Sequence, residues 1–324
     1  MLLTKTPLRI SFLGGGTDFP WFFEKHGGAV ISSTIARYIY ISCLPSYDQK
    51  TTYLKYSRLE QVTSYEQINH PIFRSVLHDY QVPPMDWSVM ADIPAGNGLA
   101  SSSAFTVGLV KAAGLAVGND LSDINLGLEA VRFEIDVLRE PIGMQDQLAS
   151  AVGGFNLLQF EPSRRVLRKQ LIENSSRVPF DLVLAKVGAF SRNASKFTKA
   201  QESLALDNPE AIENLERLRD LTLQAASAIE RDPSELARFT RSGWDLKMKT
   251  NPSATSAEIE ETLKFASSRG AEAGKLVGAG GSGFVLLLVD KDHTNRLLES
   301  FTRRDQRAFI VDLEMGGSQR VNLG

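Results

Sequence analysis

The stretch PAGNGLASSSA, residues 94–104, runs directly into the apolar positions Phe105, Val107, Leu109, Val110 and Leu115. Flexible glycines, three consecutive serines and then a helix-like apolar run admit two readings. In one, a serine caps the helix and the rest is a linker. In the other, the glycines leave backbone N–H groups free to face an anion, the helix N-terminus adds partial positive charge, and the serines add hydroxyl donors or a metal ligand. A cap needs a single serine, so three serines after two glycines favour a phosphate. The Walker pattern G-x-x-x-x-G-K-[ST] occurs nowhere in the chain, so this is not that P-loop.

The surroundings bound the answer. At 324 residues with 43% hydrophobic content the chain can bury a sizeable core, and its length suggests about two domains. With 36 basic against 38 acidic residues, charge gives no reason to expect nucleic acid or an anionic membrane as partner. One cysteine, Cys43, excludes an intramolecular disulfide and fits a reducing cytoplasm. The first residues lack the pattern of a signal peptide, and the longest apolar run, FVLLLV at 284–289, is too short to span a bilayer. A cytoplasmic protein is expected.

Working outward, 8–13 and 38–44 read as strands, as do TTYLKY and WSVMADI around a helix near 72–80. Helical spacing holds from Ser101 to Val117. Ser122 is placed to cap a second helix carrying Ile124, Leu128, Val131, Ile135 and Leu138, which Pro141 stops. GFNLLQF (154–160) and 163–178 suggest a hairpin, and FDLVLAKV (180–187) a buried strand. Further helices are expected over 209–230, after Asp232-Pro233, after a Thr255–Glu258 capping box and near 293–303, with strands FVLLLVD and FIVDLEM. The interleaving gives an α+β class with a boundary near 178–180.

Two more glycine-rich stretches stand out. LGGGTD (13–18) can bring backbone close to a ligand, with Thr17, Asp18 and the upstream Arg9 as polar groups, or it can be a plain turn. GAGGSG (278–283) formally matches G-x-G-x-x-G, but it precedes a strand instead of opening a helix, which argues against a dinucleotide site. It reads as a tight loop near the active site or as ordinary turn chemistry. Glu134 lies at the edge of an apolar stripe, so it is either a surface carboxylate or an acid needing a partner such as a divalent cation. Asp146, between two glutamines, is either a cap or a functional acid. The four histidines show no metal spacing, and the serines are not in G-x-S-x-G.

Together, PLRISFLGGGTD, PAGNGLASSSA and KLVGAGGSGF, in that order and with Glu134 and GMQDQ between the second and third, resemble the three motifs of the GHMP kinases. SFLGGGTD, GLASSSAFTVGL, GMQDQ and SRNAS (191–195) are similar to the branch acting on D-glycero-D-manno-heptose 7-phosphate. Ala100 and Ser282 stand where glycine is usual, and Met144 where lysine is frequent.

The resemblance implies a two-domain α+β fold with the ATP and sugar cleft between an N-terminal domain, 1–178, and a ferredoxin-like C-terminal domain, 179–324. It implies ATP and Mg²⁺ as cofactors and a small-molecule sugar or sugar phosphate as partner. The ATP phosphates would lie across Gly96, Asn97, Gly98, Leu99, Ala100, Ser101, Ser102 and Ser103, with Ser102 and Glu134 on the metal. Asp146 would face the sugar hydroxyl with Arg9 beside it. Sugar contacts would come from Gly15, Gly16, Thr17, Asp18 and Gly154. Arg192, Ser191 and Ser195, with Lys196 next in line, would meet a sugar phosphate. Gly278, Ala279, Gly280 and Gly281 would form the third glycine loop. The implied activity is a sugar 1-kinase making heptose 1,7-bisphosphate. Alternatives are a fucose- or galactose-type 1-kinase and a catalytically silent sensor of sugar and ATP; the presence of Arg9, Ser102, Glu134 and Asp146 argues against silence.

Overall fold

The structure, a computed structural model, describes residues 1–189, 202–203, 208–251, 254–278 and 280–322. Its strands are built into two sheets. In the first, β1 (Leu2–Leu13) runs antiparallel to the long β2 (Gly28–Pro45), with irregularities after Pro7 and after Ser11. Pro7 sits at the first of these, where a missing N–H costs the ladder little. Between the two strands the turn-rich stretch also holds a short helix, α1 (Pro20–His26).

Strands β3 (Thr52–Lys55), β4 (Leu59–Val62) and β5 (Met85–Ala91) extend this sheet beyond β2. Helix α2 (Pro71–Asp79) precedes β5. The expected hairpin is β6 (Phe155–Phe160) with β7 (Val166–Ile172), and β6 pairs with β2. Helices α3 (Ser101–Val117), α4 (Asp123–Val131) and α5 (Gln145–Val152) pack on one another, and α3 and α5 also contact β1 and β2.

The second sheet has the order β11-β8-β10-β9, from β8 (Phe180–Val187), β9 (Ala271–Leu276), β10 (Gly283–Asp290) and β11 (Ala308–Val311). Between β8 and β9 lie α6 (Pro209–Arg231), α7 (Glu235–Thr250) and α8 (Ala257–Ser267), and between β10 and β11 lies α9 (Thr294–Thr302). This is β-α-β-β-α-β connectivity. β8 and β10 are apolar on both faces because both faces are covered. Leu182, Leu184, Leu286 and Leu288 join the main core shared with the first sheet, while Val183, Ala185, Val285 and Leu287 pack under Ile259, Leu297 and Phe301. Among the described residues no helix is long and apolar enough to cross a membrane.

Several local expectations change. FIVDLEM is two strands in two sheets: Ala308–Val311 pairs with β8, and β12 (Leu313–Glu314) pairs with β2. The chain then closes with β13 (Gln319–Arg320) on β1. Ser256, not Thr255, caps α8, accepting from the Ile259 N–H. The Glu258 carboxylate meets the Gly188 N–H (2.8 Å). Asp232 accepts from the Ser234 N–H (3.0 Å) in a local turn, so α7 begins at Glu235 rather than at Pro233. Ser122 holds the N-cap position of α4 without a side-chain cap bond.

Candidate active site

Arg9 projects from the middle of β1 and is only 4% exposed. Its Nε donates to Asp146 Oδ1 (2.7 Å) and its Nη2 to Oδ2 (2.8 Å), a bidentate pair. Nη1 reaches the Gly98 carbonyl oxygen (2.9 Å). Asp146 stands in the first turn of α5 with its side chain 26% exposed, so the carboxylate is held firmly and remains open to a ligand. One guanidinium thus joins the first motif, the acid motif and the serine loop.

The glutamines on either side of Asp146 each reach a different buried acid. Gln145 donates to Asp18 from its backbone N–H (3.3 Å) and from Nε2 (3.1 Å), and the Gly16 N–H adds a third bond (2.9 Å). Asp18 fits only because residue 143 is glycine; a Cβ there would lie 1.9 Å from Asp18 Oδ2. Burial raises the Asp18 pKa, opposed by these N–H donors and reinforced by the Asp146 charge. Gln147 donates from Nε2 to Glu134, which also accepts from Ser103 Oγ (2.8 Å) and Thr106 Oγ1 (2.6 Å). Glu134 is 2% exposed, so it is not a surface carboxylate. Desolvation pushes its pKa up to about 7 against those three hydrogen bonds. It is carried on a π-helical turn, Arg132–Val137, that continues α4. Such turns widen a helix locally and are frequent at functional sites. The Oε1 atoms of both glutamines are buried without a hydrogen-bond partner.

The serine loop begins α3 without a side-chain cap, which removes the capping reading of the three serines. Ala100 occupies the N-cap position at φ +60°, the left-handed region, which explains why glycine is usual there. Asn97 is buried and ties the loop internally, accepting from the Leu99 N–H (2.7 Å) and donating to the Pro94 carbonyl (2.6 Å). Ser102 is exposed and Ser103 buried. Ser103, not Ser102, hydrogen-bonds Glu134.

The third glycine loop lies against this one. A Cβ on Gly98 would meet the Val277 carbonyl oxygen at 2.4 Å, and one on Gly278 would meet Gly98 Cα at 2.8 Å. Gly280 and Gly281 both have positive φ, and the Gly281 N–H donates to the Ala254 carbonyl (3.2 Å).

Other expected contacts lie elsewhere. The Thr17 hydroxyl is spent inside its own turn, 2.9 Å from the carbonyl oxygens of both Gly14 and Ala29. Within LGGGTD, Gly15 alone is partly exposed. Gly154 is buried beyond the far end of α5 from Asp146, its N–H bonded to Thr34 Oγ1 (2.8 Å). Ser191, Arg192, Ser195, Lys196 and Ala279 fall outside the described residues.

Sequence reasoning missed two lysines. Lys275, buried at the end of β9, donates to the carbonyl oxygens of Ser11 (2.8 Å) and Phe12 (3.2 Å), and its pKa is driven well down by desolvation and then by Lys247 and Arg9. Lys247, on α7, donates to the Gly278 carbonyl (3.0 Å). Lys275 opens the quoted third motif and could have been singled out there; Lys247 lies in no motif.

Two sheets meeting at glycine loops around a bidentate Arg–Asp pair define the class. The family model of the GHMP kinases N terminal domain matches residues 68–154, and that of the GHMP kinases C terminal matches residues 211–305. The chain belongs to the GHMP kinase family. A D-glycero-alpha-D-manno-heptose 7-phosphate kinase of Campylobacter jejuni is 27% identical over 325 residues, covering 95% of each chain. A galactokinase of Pyrococcus furiosus is 22% identical, covering 93% of each. The crystal structure of a D-glycero-D-manno-heptose 1-phosphate kinase from Bacteroides thetaiotaomicron superposes over the whole of both chains with a TM-score of 0.79 at 22% identity.

Proposed function

We propose that this protein is an ATP-dependent sugar kinase that phosphorylates the anomeric hydroxyl of D-glycero-D-manno-heptose 7-phosphate to give the 1,7-bisphosphate. The observation that carries the kinase reading is the Arg9 guanidinium, bidentate on Asp146 and bonded through Nη1 to the Gly98 carbonyl. That geometry sets a half-open carboxylate beside an uncapped helix N-terminus suited to a triphosphate. The heptose assignment rests on the Campylobacter relative and on the SRNAS and GMQDQ segments. The reading divides the chain into units 1–178 and 179–324, with β12 and β13 contributed back to the first sheet.

In this scheme backbone N–H groups of Gly96–Ser103 hold the ATP phosphates. Asp146 accepts or orients the proton of the anomeric hydroxyl, and Arg9 fixes Asp146 and meets charge developing on the transferred group. The residues near Glu134 fit Mg²⁺: a carboxylate, hydroxyls and the unpartnered Gln147 Oε1 are all hard oxygen donors. Among the described residues no group of three His, Cys, Asp or Glu gathers to hold a metal by protein alone, which suits an ion shared with phosphates. Glu134 and Ser102 are the proposed ligands, with Ser103 hydrogen-bonded to the same carboxylate. Mg²⁺ bound there would neutralise charge on the ATP phosphate oxygens.

A galactose-type 1-kinase is the second reading, supported by the Pyrococcus relative. ADP release measured with heptose 7-phosphate, fucose and galactose separates them. Preferred turnover of heptose 7-phosphate is expected. Preference for an unphosphorylated sugar would transfer the assignment, and ATP binding without turnover of any acceptor would indicate a sensor.

A further inference from the structure

We infer that Lys247, which lies outside all three motifs, is a catalytic cation whose ammonium binds a phosphate at the junction of the two glycine loops. The inference rests on the kinase reading for its choice of ligand. The geometry is a continuous relay. Arg9 Nη1 bonds the Gly98 carbonyl, Gly98 abuts Gly278, and the Gly278 carbonyl accepts from Lys247 Nζ (3.0 Å). Two cations from opposite sheets' elements therefore lean on the same pair of touching loops.

An ammonium has three donors, and Lys247 spends one of them; among the described residues it has no carboxylate within 4 Å. Lys275 differs, because it is buried and donates to two β1 carbonyls, which fits a structural role. The charges around Lys247 do not balance. Arg9 uses up Asp146, while Asp18 is a buried acid whose burial disfavours its ionised form. Desolvation and the Arg9 charge lower the Lys247 pKa to about 8, with Asp18 opposing. A half-buried cation with spare donors and a cationic neighbour is completed by an anion. Beside an uncapped helix N-terminus in a family of kinases, that anion is a phosphate.

The phosphate can belong to ATP or to the acceptor, and one set of measurements separates them. Binding of inorganic tripolyphosphate is followed by calorimetry on the wild type, Lys247→Met and Lys247→Arg. Steady-state kinetics are run with heptose 7-phosphate and with galactose. If the phosphate is that of ATP, Lys247→Met weakens tripolyphosphate at least tenfold and lowers kcat about 100-fold with every acceptor turned over, and Lys247→Arg recovers part of both. If it is the acceptor's, tripolyphosphate binding holds and KM rises for heptose 7-phosphate alone. Unchanged tripolyphosphate binding together with unchanged kinetics in Lys247→Met overturns the inference. Lys247-dependent tripolyphosphate binding by a wild type that turns over no acceptor would sink the kinase reading while leaving this one standing. Removal of a half-buried charge should not lower the thermal midpoint of Lys247→Met, and Lys247→Arg keeps the charge if it does.

Discussion

The loop at 94–103 holds two glycines and the loop at 277–283 holds four, and the two stand in different settings, the first opening a helix and the second leading into a strand. In the first, positive φ at Gly96, Gly98 and Ala100 turns the backbone into an uncapped helix, a shape suited to holding an anion. In the second, Gly278, Gly280, Gly281 and Gly283 also have positive φ, and contact adds a further constraint: a Cβ on Gly278 or Gly283 would press into Gly98 or Asn97 of the first loop. The first loop opens α3, and the second fits against it closely enough to fix its position. A glycine-rich string therefore does not announce a ligand site, because close approach of two chains demands the same residue.

Four changes test that contrast, from the largest expected effect down. Asp146→Asn strikes the proposed acceptor of the hydroxyl proton and leaves the glycines of both loops unchanged. Turnover should fall about 10³-fold with the folded state retained, read by ADP release and circular dichroism. Unimpaired turnover would remove Asp146 from its role. Gly98→Ala strikes the contact between the loops: a Cβ 2.4 Å from the Val277 carbonyl, on a residue at φ +84°, should cost about 3 kcal/mol in urea unfolding. A neutral result would mean that the loops are not in contact.

Glu134→Gln tests the buried acid behind the first loop. The folded-state pKa of Glu134, about 7, lies above its ordinary 4.5. Between these values the folded state binds the extra proton, so this group's stabilisation is complete below pH 4.5 and is lost as pH rises through 7. Without nucleotide, the wild type should lose about 3 kcal/mol relative to the variant between pH 4.5 and pH 8. Parallel pH profiles would contradict the burial argument. Ala100→Gly should give the smallest effect, a gain of about 0.5–1 kcal/mol, as relief of the left-handed strain exceeds the added freedom of the unfolded chain.

Much of the fold was legible where the signal is local. The start of α3 at Ser101, the hairpin of β6 and β7 and the two apolar central strands follow from periodicity and turn residues. Reading failed where a distant partner overrode the local pattern. FIVDLEM is one apolar string, yet Asp312 separates pieces that serve different sheets. The capping box at Thr255 lost its glutamate to Gly188, 70 residues away. Glu134 could be read as a surface position because it stands at the edge of an apolar stripe, and the partners that enclose it, Ser103, Thr106 and Gln147, come from α3 and α5.

The sequence by itself determined the order of the motifs, the α+β class of the fold and, through the resemblance those motifs carry, the expectation that Arg9, Glu134 and Asp146 share a site. Periodicity and motif order are properties of short stretches, whereas local chemistry alone left Glu134 and Asp146 with two readings each. Only the tertiary structure decided that Arg9 clasps Asp146 from 137 positions away. It likewise decided that Gln145 and Gln147 secure separate acids, that Ser103 reaches Glu134, and that Lys247 arrives at the glycine loops from α7. Strand register and the packing of helices on two sheets set these meetings, and neither is written in any single segment of the chain.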